Sequence, residues 1–155
     1  MGDKRKYQNL RDQAFLAKRK GDFREAESLL IAAVREVSED PHDRPDLSRT
    51  LNTLAYLYVV SGELSRSIEI ANSDVEVCRQ LPTESRILLG NALMFLAGVL
   101  IEAGEYSGAV SAAEEGIPIY ANVMGENHSE TQRMRMILNE AQQKLGQSNA
   151  HVLHK

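Results

Sequence analysis

Four histidines and one cysteine are the side chains here best suited to metal binding or nucleophilic chemistry. His42 lies beside Asp43, His128 stands alone, and His151 and His154 fall near the C-terminal end. None shows the i, i+4 or Cys-x-x-Cys spacing that brings ligands together on a metal ion. No nucleophile, acid and base converge either, so we expect no metal, no cofactor and no catalytic residue: the chain reads as a non-enzyme. His128 fits better as a residue that orders a loop at a helix start. Cys78 shares a helix side with Ile68, Ala71 and Val75, which makes it buried filler rather than a reactive thiol. A lone cysteine can form no internal disulfide, and this points to a reducing, cytoplasmic compartment.

Charge narrows the class of partner. The net charge of −4 argues against a nucleic-acid binder, which is ordinarily basic. Residues 1–24 nevertheless carry +5 and the remainder −9. The basic end is either a solvated first helix pair or a surface that captures acidic peptide or membrane headgroups. The start, Met1-Gly2-Asp3-Lys4-Arg5-Lys6, leads into Tyr7-Gln8-Asn9 instead of an apolar stretch, so no secretory leader is expected. The most apolar window, Ile87 to Ile101, has 15 residues. That is short of the ~20 that span a bilayer, and a buried helix is the expectation, with no membrane span.

The elements that must position any binding side chain are set by a period. Gly21, Gly62, Gly104 and Gly146 are separated by 41, 42 and 42 residues. Before the glycines, Leu51, Leu54, Ala55 and Tyr58 fall on one helical face, as do Leu93, Leu96, Ala97 and Leu100. Leu10, Gln13, Ala14 and Ala17 form a weaker version in the first unit. After them come Phe23, Ala26, Leu30 and Ala33; then Leu64, Ser67 and Ala71; then Tyr106, Ala109 and Ala113. Each glycine should end its helix in a left-handed turn. The pattern predicts helices near 5–20, 23–38, 46–61, 64–80, 84–103, 106–122 and 129–146, with loops at Asp40-Pro41, Arg44-Pro45-Asp46, Leu81-Pro82-Thr83 and Gly125-Glu126-Asn127. Pro118 should end or kink the sixth.

This order of Leu, Leu-Ala, aromatic or Leu, Gly-x-aromatic and Ala resembles the tetratricopeptide repeat, in the longer form found in kinesin light chains. Arg44-Pro45-Asp46-Leu47-Ser48-Arg49-Thr50-Leu51-Asn52-Thr53-Leu54-Ala55 is similar to that family's His-Pro-Asp-Val-Ala-x-x-Leu-Asn-Asn-Leu-Ala. Met124-Gly125-Glu126-Asn127-His128-Ser129-Glu130-Thr131 is similar to its Leu-Gly-x-x-His-Pro-x-Thr loop. The resemblance implies an all-α, right-handed α-solenoid of three helix hairpins plus a C-terminal capping helix. It places one domain over residues 1–146, with units near 7–40, 48–81 and 90–123, a cap at 129–146 and a flexible tail at 147–155.

In such an array the first helix of each unit lines a concave groove. The residues so placed are Gln8, Arg11, Asp12, Phe15 and Lys18; Arg49, Asn52, Thr53, Tyr56 and Val59; Asn91, Met94, Phe95, Gly98 and Ile101; and Arg133, Met136, Ile137 and Glu140. An apolar floor rimmed by Arg11, Lys18, Arg49 and Arg133 suits a protein or peptide that has a hydrophobic anchor flanked by acids. Asn52 and Asn91 could bond an extended peptide backbone, as the resemblance implies. The same apolar residues could instead pack against a tail, another domain or a second copy of the chain. The carboxylate clamp of chaperone-binding members needs Lys, Asn, Asn, Lys and Arg, where this sequence has Arg11, Phe15, Thr53, Asn91 and Phe95. A non-catalytic interaction module or adaptor is the expected function. The alternatives are a self-associating structural module and a peptide-sensing domain of a larger regulator. Asp74 stands where a small buried residue is expected. It either pairs with an arginine or is turned into water by rotation of its helix, and the cost of an unpaired buried carboxylate favours the second.

Overall fold

The computed structural model describes residues 4–37 and 41–153, and its regular elements are all helical. Asp40 of the first loop, His154 and the side chain of His151 lie outside the described residues. Seven α-helices follow in order: α1 (Lys4–Arg19), α2 (Phe23–Glu36), α3 (Arg44–Val60), α4 (Leu64–Arg79), α5 (Arg86–Glu102), α6 (Tyr106–Met124) and α7 (Ser129–Leu153). Short 3-10 turns at Pro41–Asp43 and Thr83–Ser85 precede α3 and α5. The predicted bounds hold to within two residues except at the end of α7.

The helices gather into two compact units, one ending at Leu88 and one beginning at Leu89. In the first, α1 pairs with α2, α3 pairs with α4, and α2 packs on α3. Its core joins Ala14 and Ala17 of α1, Ala26 and Leu30 of α2, and Leu54, Leu57 and Tyr58 of α3. A second cluster joins Tyr7, Ala33 and Val37. Small residues on α1 and α2 let these helices approach, and the larger Leu and Tyr side chains fill the remaining space. In the second unit α6 packs on α7, with Leu93, Leu96, Ala97, Ala109, Ala113, Tyr120, Met134 and Ala141 all buried.

The hairpins turn in the same way three times. Gly21, Gly62 and Gly104 have φ of 81°, 82° and 80°, a region that costs a side-chain-bearing residue ~1–2 kcal/mol. In each case two amide groups bond back across the turn. Glu63 N donates to Tyr58 O at 2.8 Å and Gly62 N to Val59 O at 3.0 Å. Ala17 and Leu100 accept in the same way from Asp22 and Glu105. This double bond satisfies carbonyls that a helix end otherwise leaves open.

Gly146 departs from the pattern. It lies inside α7, which continues to Leu153, and it has no left-handed backbone. Gly125, at φ 101°, is the fourth left-handed glycine and closes α6. Pro118 neither ends α6 nor stands buried in it; the helix runs on to Met124. The carbonyl that the missing amide leaves free belongs to exposed Glu114, where water can reach it.

Before Ser129, His128 acts as the sequence suggests. Its Nδ1 accepts from the Glu130 amide at 3.2 Å, while Thr131 Oγ1 donates to Gly125 O at 2.8 Å. Thr83–Glu102 reaches 20 residues with a mean hydropathy of 1.5, longer than the window read from sequence. By length and composition alone it could cross a bilayer, but eight α5 residues from Leu89 to Leu100 are buried.

Candidate functional site

Three of the predicted groove residues come together in the first unit. Phe15 and Lys18 project from one turn of α1, and Tyr56 projects from α3. The Lys18 ammonium stands 4.7 Å from the centre of the Tyr56 ring and 5.7 Å from that of Phe15. The Arg19 guanidinium is 6.0 Å from the Phe15 ring. Both rings remain open to solvent, at 54% for Phe15 and 47% for Tyr56, and Leu16 and Val60 are exposed as well. A cation held between two aromatic faces fixes their spacing and offers a charge beside apolar area.

The other predicted residues of this unit have further ties. Arg49 is 3.4 Å from Asp46, which is buried, accepts the Tyr7 hydroxyl at 2.8 Å and lies 3.5 Å from Lys4. Burial and this bond push the Tyr7 phenol up to about 12. Arg49 therefore belongs to the α1–α3 joint as much as to the surface. Thr53 donates to the Arg49 carbonyl at 2.8 Å. Asn52 is half-buried. Arg11 and Val59 are half-exposed and Gln8 and Asp12 exposed.

In the second unit, Asn91 accepts the Tyr120 hydroxyl at 2.7 Å, so its carbonyl is engaged within its own hairpin. Met94, Phe95, Ile101 and Ile137 are half-buried, while Gly98, Arg133 and Glu140 are exposed. Met136 is exposed at 70%, the most open of the large apolar side chains among the described residues.

Sequence reasoning misplaced Asp74. Its side chain is buried at 2% exposure, against the expectation that α4 rotates it into water. Cys78 Sγ donates to it at 3.5 Å, and Ser48 Oγ lies 3.1 Å from that sulfur. This bond offsets part of the desolvation, which nonetheless raises its carboxyl to about 6. Cys78 is buried as expected, and its thiol is pushed up to about 12 by burial. The signal was present as two i, i+4 pairs, Ser48/Asn52 and Asp74/Cys78, on consecutive helices. A second network escaped notice. Tyr58 donates to Glu27 at 2.8 Å, and Arg66 bonds Tyr58 at 2.7 Å, Glu63 at 2.9 Å and Glu27, tying α2 to the α3–α4 hairpin.

Comparison with curated protein sequences finds no match. Residues 89–130 match the family model of the tetratricopeptide repeat. Among solved structures, repeats of kinesin-light-chain type from Podosopora anserina superpose with a TM-score of 0.73 at 20% identity, covering 92% of this chain and 68% of that one. The TPR2B domain of yeast Sti1, solved as a complex with pHsp70, gives 0.68 at 16% identity and covers 90% of this chain and 98% of that one. RapI, in its apo form, gives 0.76 at 16% identity over 99% of this chain. This chain spans only 54% of RapI, about half its length. The chain thus has the helical-repeat fold of these structures, and its residues 89–130 match the tetratricopeptide repeat in sequence.

Proposed function

We propose that this chain is a non-catalytic protein-interaction module that binds a short peptide, one with an aromatic or aliphatic anchor flanked by acids, on the exposed α1–α3 face. The observation that carries this reading is the Phe15–Lys18–Tyr56 cluster: two open rings bracketing a cation. An anchor side chain would lie on the rings, and the acids would meet Lys18, Arg11 and Arg19. Proteins of similar fold support the class of function, since the Sti1 domain was solved as a complex with pHsp70. The chaperone clamp itself does not carry over, because Phe15, Thr53 and Phe95 stand at clamp positions. A cytoplasmic setting belongs to the same reading and rests on the lone buried thiol of Cys78.

A panel of fluorescent peptides varying the anchor and the flanking charge tests it by anisotropy. Acidic peptides with an aromatic anchor should bind best. Tyr56→Ala combined with Lys18→Glu should weaken them by about tenfold or more while leaving helicity intact. Equal affinity for basic and acidic panels would remove the reading. Self-association is the second reading, favoured by the exposure of Val123, Met124 and Met136 at 54%, 40% and 70%. A species of monomer mass by light scattering, unchanged by Met136→Asp, would exclude it.

A further inference from the structure

The first hairpin grips one turn of α3 from two sides. On the outer side, Lys18 of α1 lies over the Tyr56 ring. Two residues on, about 200° round the helix, Tyr58 enters the core among Ala14, Ala17, Ala26 and Leu30. Its hydroxyl donates to Glu27 of α2 at 2.8 Å. Arg66 of α4 closes the group: its guanidinium lies 4.2 Å from the centre of the Tyr58 ring and donates to the Tyr58 hydroxyl at 2.7 Å and to the Glu27 carboxylate. Glu63 accepts the other arm of Arg66 at 2.9 Å, which fixes the plane of the guanidinium. Glu27 is therefore the acceptor through which α2 holds both helices of the second hairpin.

The repeat itself does not require this group. In register, Glu27 corresponds to Ile68 and Val110, Tyr58 to Ala17 and Leu100, and Arg66 to Glu25 and Gly108. Neither set can rebuild a cluster of carboxylate, phenol and guanidinium. The group stands at the joint whose outer side carries Phe15, Lys18 and Tyr56. Another tie across that joint, Tyr7 to Asp46 at 2.8 Å, lies near the start of α1, about 16 Å from Lys18 at the rise of an α-helix. A tie at that end alone would leave the last turns of α3 free to roll against α1. We propose that Glu27 is a positioning residue for recognition: through Tyr58 and Arg66 it fixes the roll of α3, and with it the spacing of Tyr56 from Lys18. The α1–α3 face is then preformed before a peptide arrives, which lowers the ordering cost of binding.

The consequence for affinity rests on the binding reading above; the spacing does not. The Lys18 methylene protons nearest the ammonium lie by the Tyr56 ring and should be shifted upfield by its ring current. Carbon-13 correlation spectra of the whole chain read this shift, assigned by its loss in Tyr56→Leu. Glu27→Ala and Tyr58→Phe should each remove most of it. Glu27→Gln, which keeps an acceptor for the Tyr58 hydroxyl, should retain it. The two Glu27 variants delete the same charge, so the difference between them reports the hydrogen bond. For acidic peptides with an aromatic anchor, Glu27→Ala should bind about threefold or more weaker than Glu27→Gln. Loss of an acid by itself would strengthen both. Tyr58→Phe keeps its ring in the core and carries the test if Glu27→Ala fails to fold. A native chain without the upfield shift overturns the proposal, as do equal affinities of the two Glu27 variants. So does a shift that persists in Glu27→Ala and Tyr58→Phe while the urea midpoint falls, since Glu27 then acts on stability alone. A shift that responds as expected in a chain that binds no peptide supports the positioning and removes the binding reading alone.

Discussion

The α3–α4 seam and its counterpart in the α5–α6 hairpin solve one packing problem with opposite chemistry. Ser48, Asn52, Asp74 and Cys78 stand in register with Gly90, Met94, Gly116 and Tyr120. In the later hairpin the Tyr120 ring fills the seam: a Cβ on Gly90 would come within 3.3 Å of it. A Cβ on Gly116 would overlap the Met134 methyl and lie 3.5 Å from Leu93. In the first hairpin, Tyr7 supplies the ring from the opposite helix, against Ala33 and Val37. The middle hairpin has no ring at these positions, and a hydrogen-bonded carboxyl takes up the space. One repeat backbone thus accepts a ring from either helix or a polar cluster, provided that volume and hydrogen bonds close.

Exchanging the two solutions should break the second unit most severely. Gly116→Asp would place a carboxyl against Met134 and Leu93, where the register partners Gly90 and Met94 offer no side-chain hydrogen-bond donor. Overpacking and desolvation together should cost about 4 kcal/mol or more, read as a lower urea midpoint. Leu96→Ala follows: this side chain is buried, and its loss should cost ~2–5 kcal/mol. Leu10, half-buried at the edge of the Tyr7 cluster, should lose clearly less on the same change. Equal losses would contradict the difference in burial between the two side chains.

The polar seam should declare itself by its pH dependence. Asp74 is raised from 3.8 to about 6 in the folded chain, so the folded state holds its proton after the unfolded state has released it. Stability should therefore be greatest near pH 4 and fall as pH rises through 6, by up to about 3 kcal/mol from this group. Asp74→Ala should flatten that fall, and at pH 8 it should stabilise the chain. A steeper fall in the variant than in the native chain would assign the dependence to other groups. Gly116 offers no such titration, so the contrast tests the comparison directly.

The period made the fold legible, because spacing of Leu, Ala and Gly reports burial without any need for long-range detail. Leu54, Ala55, Tyr58, Leu93, Leu96, Ala97 and Leu100 are all buried as the pattern requires. The site was legible only in part. Phe15 and Tyr56 could be placed on one face from helical phase, but the cation of Lys18 between them depends on how α1 meets α3. Asn91, placed in the groove by its register, also accepts the Tyr120 hydroxyl of its own hairpin, a tie that the sequence did not announce. Asp74 was read by a rule about isolated carboxylates, and it is not isolated. The rule fails where a neutral donor such as Cys78 meets the carboxyl from the next helical turn.

The smallest contrast lies at the hairpin turns. Asp22 and Glu105 occupy the same position after their glycines, yet only Asp22 caps the next helix, its Oδ1 accepting from the Glu25 amide at 3.0 Å. The longer glutamate side chain makes no such bond at the start of α6. Asp22→Ala should therefore cost ~1 kcal/mol, because an amide of the first turn of α2 loses its acceptor. Glu105→Ala should stay within about 0.5 kcal/mol, the range of an exposed side chain without special partners. Glu105→Asp provides the sharper measurement: shortening the side chain by one methylene should install the cap that α6 lacks and raise stability. If it does not, the Gly-Glu turn differs from the Gly-Asp turn in more than side-chain length, despite their matching φ angles of 80° and 81°.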